Sequence, residues 1–303
     1  MAEFDRLAET YDESIGAASL DELDAIGKSL YSRKCKTVLD VGVGTGRISR
    51  VLEEYDFLPV GVDVSLPMIL KAKSKGLENL VLADAKYLPF REKVFDATIL
   101  VDVLNCLDDP VAVFSQIGRV TSDAIVAIKR KYNRTRESSE DNDDPKFARL
   151  RQRVAKFRLG SENGFPNSWE REERIIELYP PLESRVVSDC IIEASAESVI
   201  SRFERGAFRF TSGISEDELR IIAGELRHEM QGSSFRRRRI REIHVWDAEE
   251  TFPAIGDYGL SPCRVETRLA PENEASTIIC ASNVGPLKPA PFPEILPLVN
   301  RAP

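Results

Sequence analysis

Val38-Leu-Asp40-Val-Gly42-Val-Gly44-Thr-Gly46-Arg-Ile-Ser49 is the stretch whose reading decides the fold. An apolar, β-branched run carries an acid near its end. Three alternating glycines follow, and an apolar pattern of helical spacing begins after them. That order predicts strand, tight loop, helix. Glycine lacks a Cβ, so the backbone can take positive φ and approach a ligand closely. The start of the following helix offers unpaired N–H groups to an anion. The dinucleotide fingerprint G-x-G-x-x-G would place its third glycine at position 47, which is Arg47. The spacing therefore speaks for a different ligand.

Working outward, Leu58–Asp63 reads as a second short strand ending in a carboxylate, 17 residues after Gly46. An acid at about that distance in a βαβ unit accepts hydrogen bonds from ribose hydroxyls. Asp63 or Ser65 could equally cap the helix expected over Pro67–Lys75. Leu80–Asp84 is a third strand followed by a loop, Phe95–Asn105 a fourth strand with its end, and Ala124–Lys129 a fifth. At the chain start, Phe4, Leu7 and Tyr11 have the i, i+3, i+7 spacing of one amphipathic helix.

Several phrases along the chain resemble a known family. D-x-G-x-G-x-G at 40–46 is similar to motif I of the class I S-adenosylmethionine (SAM) methyltransferases. Ala83-Asp-Ala-x-x-Leu-Pro-Phe90 resembles the segment that contacts adenine in that family. Phe95-Asp-Ala97 with Val103-Leu104, and the opening Phe4-Asp-x-x-Ala-x-x-Tyr-Asp12, resemble the menaquinone/ubiquinone C-methyltransferase branch, the type 11 methyltransferase domain. The resemblance implies an α/β fold: a doubly wound, Rossmann-like, seven-stranded, mostly parallel sheet with a helical cap insertion. It implies S-adenosyl-L-methionine as cofactor, held by Tyr11 on an N-terminal lid and by Asp40, Gly42, Gly44, Gly46, Asp63, Val64, Asp84, Ala85 and Val101. The chain departs from the family where Arg119–Ala124 replaces the usual Leu-x-Pro-Gly-Gly turn before strand five.

The acids suit that ligand. SAM carries a sulfonium, an ammonium, a carboxylate, two ribose hydroxyls and an adenine, and Asp40 is placed to face the positive methionyl part. Methyl transfer is an in-line displacement at an activated carbon, so positioning and exclusion of water supply much of the catalysis. It requires neither a protein nucleophile nor a metal.

With 303 residues the chain can bury one large core or two smaller ones, and its net charge of −8 argues against a general nucleic-acid binder. Five scattered cysteines without a C-x-x-C suit a reducing cytoplasm and give no zinc signature. Cys106 reads as a small packing residue. Neither a signal peptide nor an 18-residue apolar run is present, so the expectation is a cytoplasmic protein with no membrane span.

The expected division is a SAM-binding core over 1–130, a helical cap and substrate region over 131–250 with strands six and seven, a hairpin over 251–284, and a Pro-rich tail over 285–303. Lys131–Pro145 reads as a charged surface loop and Lys146–Leu159 as a helix with apolar spacing. Trp169–Tyr179 reads as a helix, and Ser184–Ile192 and Arg237–Trp246 as strands. Ser195 opens one cap helix, and the capping box Ser215/Glu218 opens another. The hairpin Gly259–Arg268/Ser276–Ala281 is an alternative source of strands six and seven.

Arg236–Arg239 and Arg241 fit surface ion pairs, an acidic substrate or RNA; in a strand only alternate members share a face. His244 and Tyr11 are the candidate catalytic groups, His244 as a general base near neutrality. Trp169, Phe208 and Trp246 could line an acceptor pocket or belong to the core. The functional expectation is methylation of O, N or C on a small molecule by a monomer or homodimer. The alternatives are a tRNA/RNA methyltransferase and a non-catalytic SAM-binding protein.

Overall fold

The computed structural model describes residues 2–16, 18–131, 146, 150, 153, 168–208, 211 and 213–252. The acidic segment at 132–145, most of the helix expected at 146–159, the hairpin at 259–281 and the tail lie outside the described residues.

Seven strands form one sheet: β1 Thr37–Val41, β2 Leu58–Asp63, β3 Leu80–Leu82, β4 Phe95–Val101, β5 Thr121–Arg130, β6 Glu183–Ser195 and β7 Ser234–Asp247. Their order is β3-β2-β1-β4-β5-β7-β6. Only β7 runs against its neighbours, since it pairs antiparallel with both β5 and β6. The sheet is thus a doubly wound, mostly parallel α/β sheet whose strand order reverses between β1 and β4. In such sheets the crevice beyond the carboxyl ends at the reversal is the ligand site.

Alternation along the strands divides the core in two. Leu39, Val41, Leu100, Ile125, Ala127 and Trp246 face one side. There they pack against α6 (Pro110–Val120) and α7 (Ser168–Leu178) through Phe114, Ile117 and Ile175. Val38, Ala97, Ile99, Val126, Ile128 and Ile243 face the other, against Ala25, Ile26 and Leu30 of α3 (Leu20–Ser32) and Leu52 of α4 (Ser49–Glu54). Each large aliphatic chain so buried contributes about 1.5–3 kcal/mol.

Local chemistry sets the element ends. The Met68 amide donates to Ser65 Oγ at 3.4 Å and so caps α5 (Leu66–Ser74). Asp109 accepts from the Ala112 amide at 3.0 Å, with Pro110 at the first position of α6. Helix α6 then passes directly into β5 at Thr121, so the departure noted at 119–124 removes the turn altogether. Asp96 Oδ2 accepts from the amides of Lys36 and Thr37 at 2.7 and 2.8 Å, pinning the start of β1 to β4. That aspartate of the family-like phrase works at the edge opposite the carboxyl ends.

Strands β6 and β7 outrun β5. Arg130 of β5 pairs with Arg241, the Lys131 amide donates to the Ile240 carbonyl, and the residues of β7 before that pair only with β6. Because β7 is antiparallel, this two-stranded arm projects beyond the carboxyl ends. It carries α8 (Ala196–Glu204) and α9 (Glu216–Glu229), which close a core of Val199, Phe203, Ile222, Leu226 and Phe235 with Leu150. Ser195 Oγ caps α8, and both halves of the Ser215/Glu218 capping box are formed.

The single helix expected at the chain start is two, α1 (Ala2–Leu7) and α2 (Tyr11–Ile15), separated by a turn in which the Thr10 amide donates to the Leu7 carbonyl. The break lets Leu7 and Ala8 pack on Met68 while Tyr11 turns toward the glycine loop.

Gly46 has φ +78°, and a Cβ there would stand 2.2 Å from Leu77 Cδ1 and 3.2 Å from the Ala72 Cβ. Gly46→Ala is expected to cost about 2 kcal/mol or more, from the left-handed backbone and the crowding together. A lowered urea midpoint with unchanged slope checks this.

Candidate cofactor and acceptor site

Gly42, Gly44 and Gly46 all take positive φ, at 72°, 55° and 78°. The Gly42 and Val43 amides both donate to the Val62 carbonyl, at 2.8 and 3.0 Å, which folds the loop back on β2. A Cβ on Gly42 would lie 2.6 Å from Val103 Cγ2, so the loop sits directly against the end of β4. A Cβ on Gly44 would meet nothing nearer than 3.9 Å, where its neighbours are the Gly42 carbonyl and the Tyr11 ring. The space above Gly44 is where a ligand can lie against bare backbone.

Two acids frame that space. Asp63 Oδ2 accepts from the Gly44 amide at 2.8 Å and Oδ1 from the Ser65 amide at 2.9 Å. Burial nevertheless raises its pKa, against the pull of those amides. Each oxygen keeps a lone pair for a further donor. Asp40 is buried and accepts from Ser49 Oγ at 2.6 Å. Burial pushes its pKa up to about 6, the Ser49 bond opposes this, and the Asp63 charge adds to it. Val64 is exposed beside Asp63, and the Ala83 amide donates to the Asp63 carbonyl, bringing Asp84 and Ala85 to the same edge. Asp84 caps the short turn Ala85–Tyr87 by accepting from the Lys86 amide at 2.9 Å. Val101 ends β4.

The N-terminal helices α1 and α2 are fastened by polar contacts. Thr45 Oγ1 donates to Asp12 Oδ1 at 2.5 Å, and Lys75 Nζ reaches both Asp12 Oδ2 at 2.5 Å and the Thr45 carbonyl at 3.0 Å. Ser65 Oγ donates to Asp5 Oδ1 at 2.6 Å. The two aspartates of the opening phrase therefore hold α1 and α2 to the glycine loop and to α5. Tyr11 is brought over the loop, where burial and the charges of Asp102 and Cys106 raise its pKa.

The end of β4 holds groups that sequence reading missed. Asp102 has φ +59°, and its amide donates to the Ile128 carbonyl at 3.0 Å. Arg241 donates to both Asp102 oxygens, and its Nε lies 3.0 Å from Glu22 Oε1 on α3. Arg239 Nη2 also reaches Glu22, at 3.2 Å, whereas Arg238 turns out to Asp189. The arginine run is thus split across the sheet, two members inward to one buried acid. Arg47 Nη2 stands 4.0 Å from Asp102 Oδ2.

His244 lies on the other face of the sheet from Asp40, with Trp246. Its Nδ1 is 2.8 Å from Ser184 Oγ, and burial pushes its pKa down to about 4. The structure does not bring it to the glycine loop, and a neutral imidazole of that pKa is a weak base at pH 7. Trp246 is core, edge-on to Phe114, with Nε1 donating to the Tyr179 carbonyl. Beside His244 on that face is a pair the sequence did not announce: Glu172 of α7, 3.8 Å from Lys129 at the end of β5. Glu172 Oε2 is buried without a hydrogen-bond partner, and burial raises its pKa to about 7.

These shifts oppose each other in pH. Glu172, raised from 4.5 to about 7, removes stability as pH rises through that window. His244, lowered from 6.5 to about 4, adds stability as pH rises through its own window. Asp40 acts in the direction of Glu172. Glu172→Gln deletes one opposing effect, so the variant should gain on the wild type between pH 5 and pH 8, by up to roughly 3 kcal/mol. Urea unfolding of both proteins at the two pH values measures the difference.

Comparison with known proteins places this geometry. Residues 39–124 match the family described as "Methyltransferase domain". Malonyl-[acyl-carrier protein] O-methyltransferase of Salmonella typhimurium is 36% identical over 98 residues, covering 31% of this chain and 38% of that protein. Demethylmenaquinone methyltransferase of Roseiflexus castenholzii is 35% identical over 127 residues, covering 39% and 53%. An uncharacterized Methanocaldococcus jannaschii protein, MJ1252, is 33% identical over 99 residues, covering 32% and 37%. The chain spans about half or less of the length of these relatives. Among solved structures, a putative methyltransferase from Bacillus halodurans superposes with TM-score 0.48 at 12% identity, over 75% of this chain and 98% of that one. The match at 39–124 takes in β1 from Leu39 on, the glycine loop, Asp63, Asp84 and all of β4, and it is this stretch of the chain that is similar to the methyltransferase domain.

Proposed function

We propose that this protein is a SAM-dependent methyltransferase that transfers a methyl group to an O, N or C atom of a small molecule. The observation that carries the reading is the glycine loop at the carboxyl edge, framed by Asp40 and Asp63 within a segment that matches the methyltransferase-domain family. The residues fit the donor. The bare backbone at Gly44 accepts close contact, Asp63 retains lone pairs for the ribose hydroxyls, and the buried Asp40 faces the methionyl cation. Asp84, at the end of β3, supplies an acceptor for the exocyclic amine of adenine. When bound, SAM supplies a methyl group already activated on sulfur. The chain's part is to orient it, exclude water and hold the acceptor in line.

The cap supports a small acceptor. A cavity of about 520 Å³ lies between the lid and the cap, lined by Leu7 and Thr10 on one side and Phe208, Thr211, Ile214 and Leu219 on the other. That volume suits a drug-sized molecule. Its lining mixes Leu7, Phe208, Ile214 and Leu219 with Glu204, Arg205, Glu216 and Arg220, which favours an amphipathic acceptor. RNA is less favoured, because Arg238, Arg239 and Arg241 are each engaged by acids. No helix among the described residues is long and apolar enough to cross a membrane, and three free thiols fit the cytoplasmic location in this reading.

Asp63→Ala is expected to weaken SAM binding by about 2 kcal/mol, near thirtyfold, with the fold retained. Titration calorimetry with SAM and with S-adenosylhomocysteine tests both the variant and the reading. A wild-type protein that binds neither ligand contradicts the proposed function.

A further inference from the structure

The short segment from Leu7 to Glu13 touches the glycine loop, α5 and the cap. The Thr10 amide and Thr10 Oγ1 both donate to the Leu7 carbonyl, at 3.0 and 3.5 Å, which breaks α1 from α2. Leu7 and Thr10 line the cavity of about 520 Å³, together with Phe208, Ile214 and Leu219 of the cap. Next to them, the Tyr11 ring lies 3.9 Å from where a Gly44 Cβ would stand. Asp12 is clasped by Thr45 Oγ1 and by Lys75 Nζ, each at 2.5 Å. Glu13 then reaches the cap, with Oε2 2.7 Å from Arg205 Nη2. The space above Gly44 and the cavity thus meet at this segment, which walls both.

Little holds the segment down. Its apolar anchorage is the small cluster of Leu7 and Ala8 on Met68, and its other contacts are polar or ionic. Glu13 and Arg205 are about half exposed, and such a pair adds little by itself. A segment held in this way opens more readily than the sheet beneath it. A ligand that needs it closed then gains affinity from anything else that closes it. We infer that residues 7–13 couple the two sites: a donor bound beneath Tyr11 and a molecule in the cavity each hold the segment closed, so each tightens the binding of the other. The coupling is reciprocal, with one factor in both directions. The donor half of this coupling rests on the proposed function, and the cavity half rests on the walls alone.

Nile red, a neutral apolar dye, probes the cavity by its fluorescence, and S-adenosylhomocysteine probes the donor site by calorimetry. In the wild type, saturating S-adenosylhomocysteine should tighten dye binding by about fivefold or more, and saturating dye should tighten S-adenosylhomocysteine by the same factor. Asp12 lines no part of the cavity, yet Asp12→Ala should weaken dye binding by about tenfold, because fewer molecules are closed. Saturating S-adenosylhomocysteine should then bring the variant's dye affinity back to within about threefold of the wild type. Leu219→Trp, which fills the cavity, should abolish dye binding and keep S-adenosylhomocysteine binding within about threefold. A wild type that binds no dye, dye that still binds to Leu219→Trp, or dye affinity indifferent to S-adenosylhomocysteine overturns the coupling and leaves the donor reading intact. So does a loss in Asp12→Ala that S-adenosylhomocysteine does not restore, since Asp12 then only supports the fold. A wild type that binds neither SAM nor S-adenosylhomocysteine overturns the methyl-donor reading itself, and the coupling with it.

Discussion

One guanidinium, that of Arg241, joins three parts of the molecule that are remote in sequence. It is buried on β7, lies against Glu22 of α3, which is fully buried, and holds both oxygens of Asp102 just past β4. Glu22 and Arg241 are withdrawn from water and tolerable there only while they face each other, with Asp102 partly exposed beside them, and removing one partner of such a buried pair costs several kcal/mol. The cluster therefore specifies geometry more than it adds stability. With Asp102 held in a left-handed conformation, Val103 stands against Gly42, and the glycine loop takes its shape between β2 and that wall. Helix α3, the antiparallel strand and the ligand-facing loop are set by the same contact.

Much of the fold was legible because its signals are local. The glycine spacing, the strand-terminal Asp63, the cap at Ser195 and the box at Ser215/Glu218 each depend on residues within a few positions of one another, and each forms an element that sequence patterns define. What escaped was non-local. Asp102 and Arg241 are 139 residues apart, and Glu22 and Arg241 are 219 apart, so no window of sequence marks them as partners. The arginine run was legible as divided between two faces, but not which acid each face would meet. The buried Glu22, more than 200 positions away, is the partner that the inward members meet. Asp96, in a family-like phrase, is likewise tied to residues far away in sequence, the amides that start β1.

The candidate site is likewise divided by the kind of force that builds it. Beneath the ligand space the contacts are backbone hydrogen bonds and close packing, which leave little freedom. Above it, α1 and α2 are held by Asp5, Asp12, Thr45 and Lys75 and by a small cluster of Leu7, Ala8 and Met68. Such exchangeable contacts over few apolar side chains belong to the low-stability end of a structure. A rigid floor and a releasable roof suit a site that must admit its ligand and then exclude water.

The position of β7 has a consequence for how the chain is made. It fits between β5 and β6, yet it is the last of the seven strands to be synthesised. At elongation rates of about 5–20 residues per second, the apolar edge of β5 must wait on the order of ten seconds for its partner after leaving the ribosome. During that interval Ala124–Ile128 form an open strand edge of the sort that recruits other chains, and Glu22 and Asp102 lack their counter-charge. The nascent protein thus carries its nucleotide-type loop before it owns a closed sheet, and the same insertion that completes the site also seals the edge.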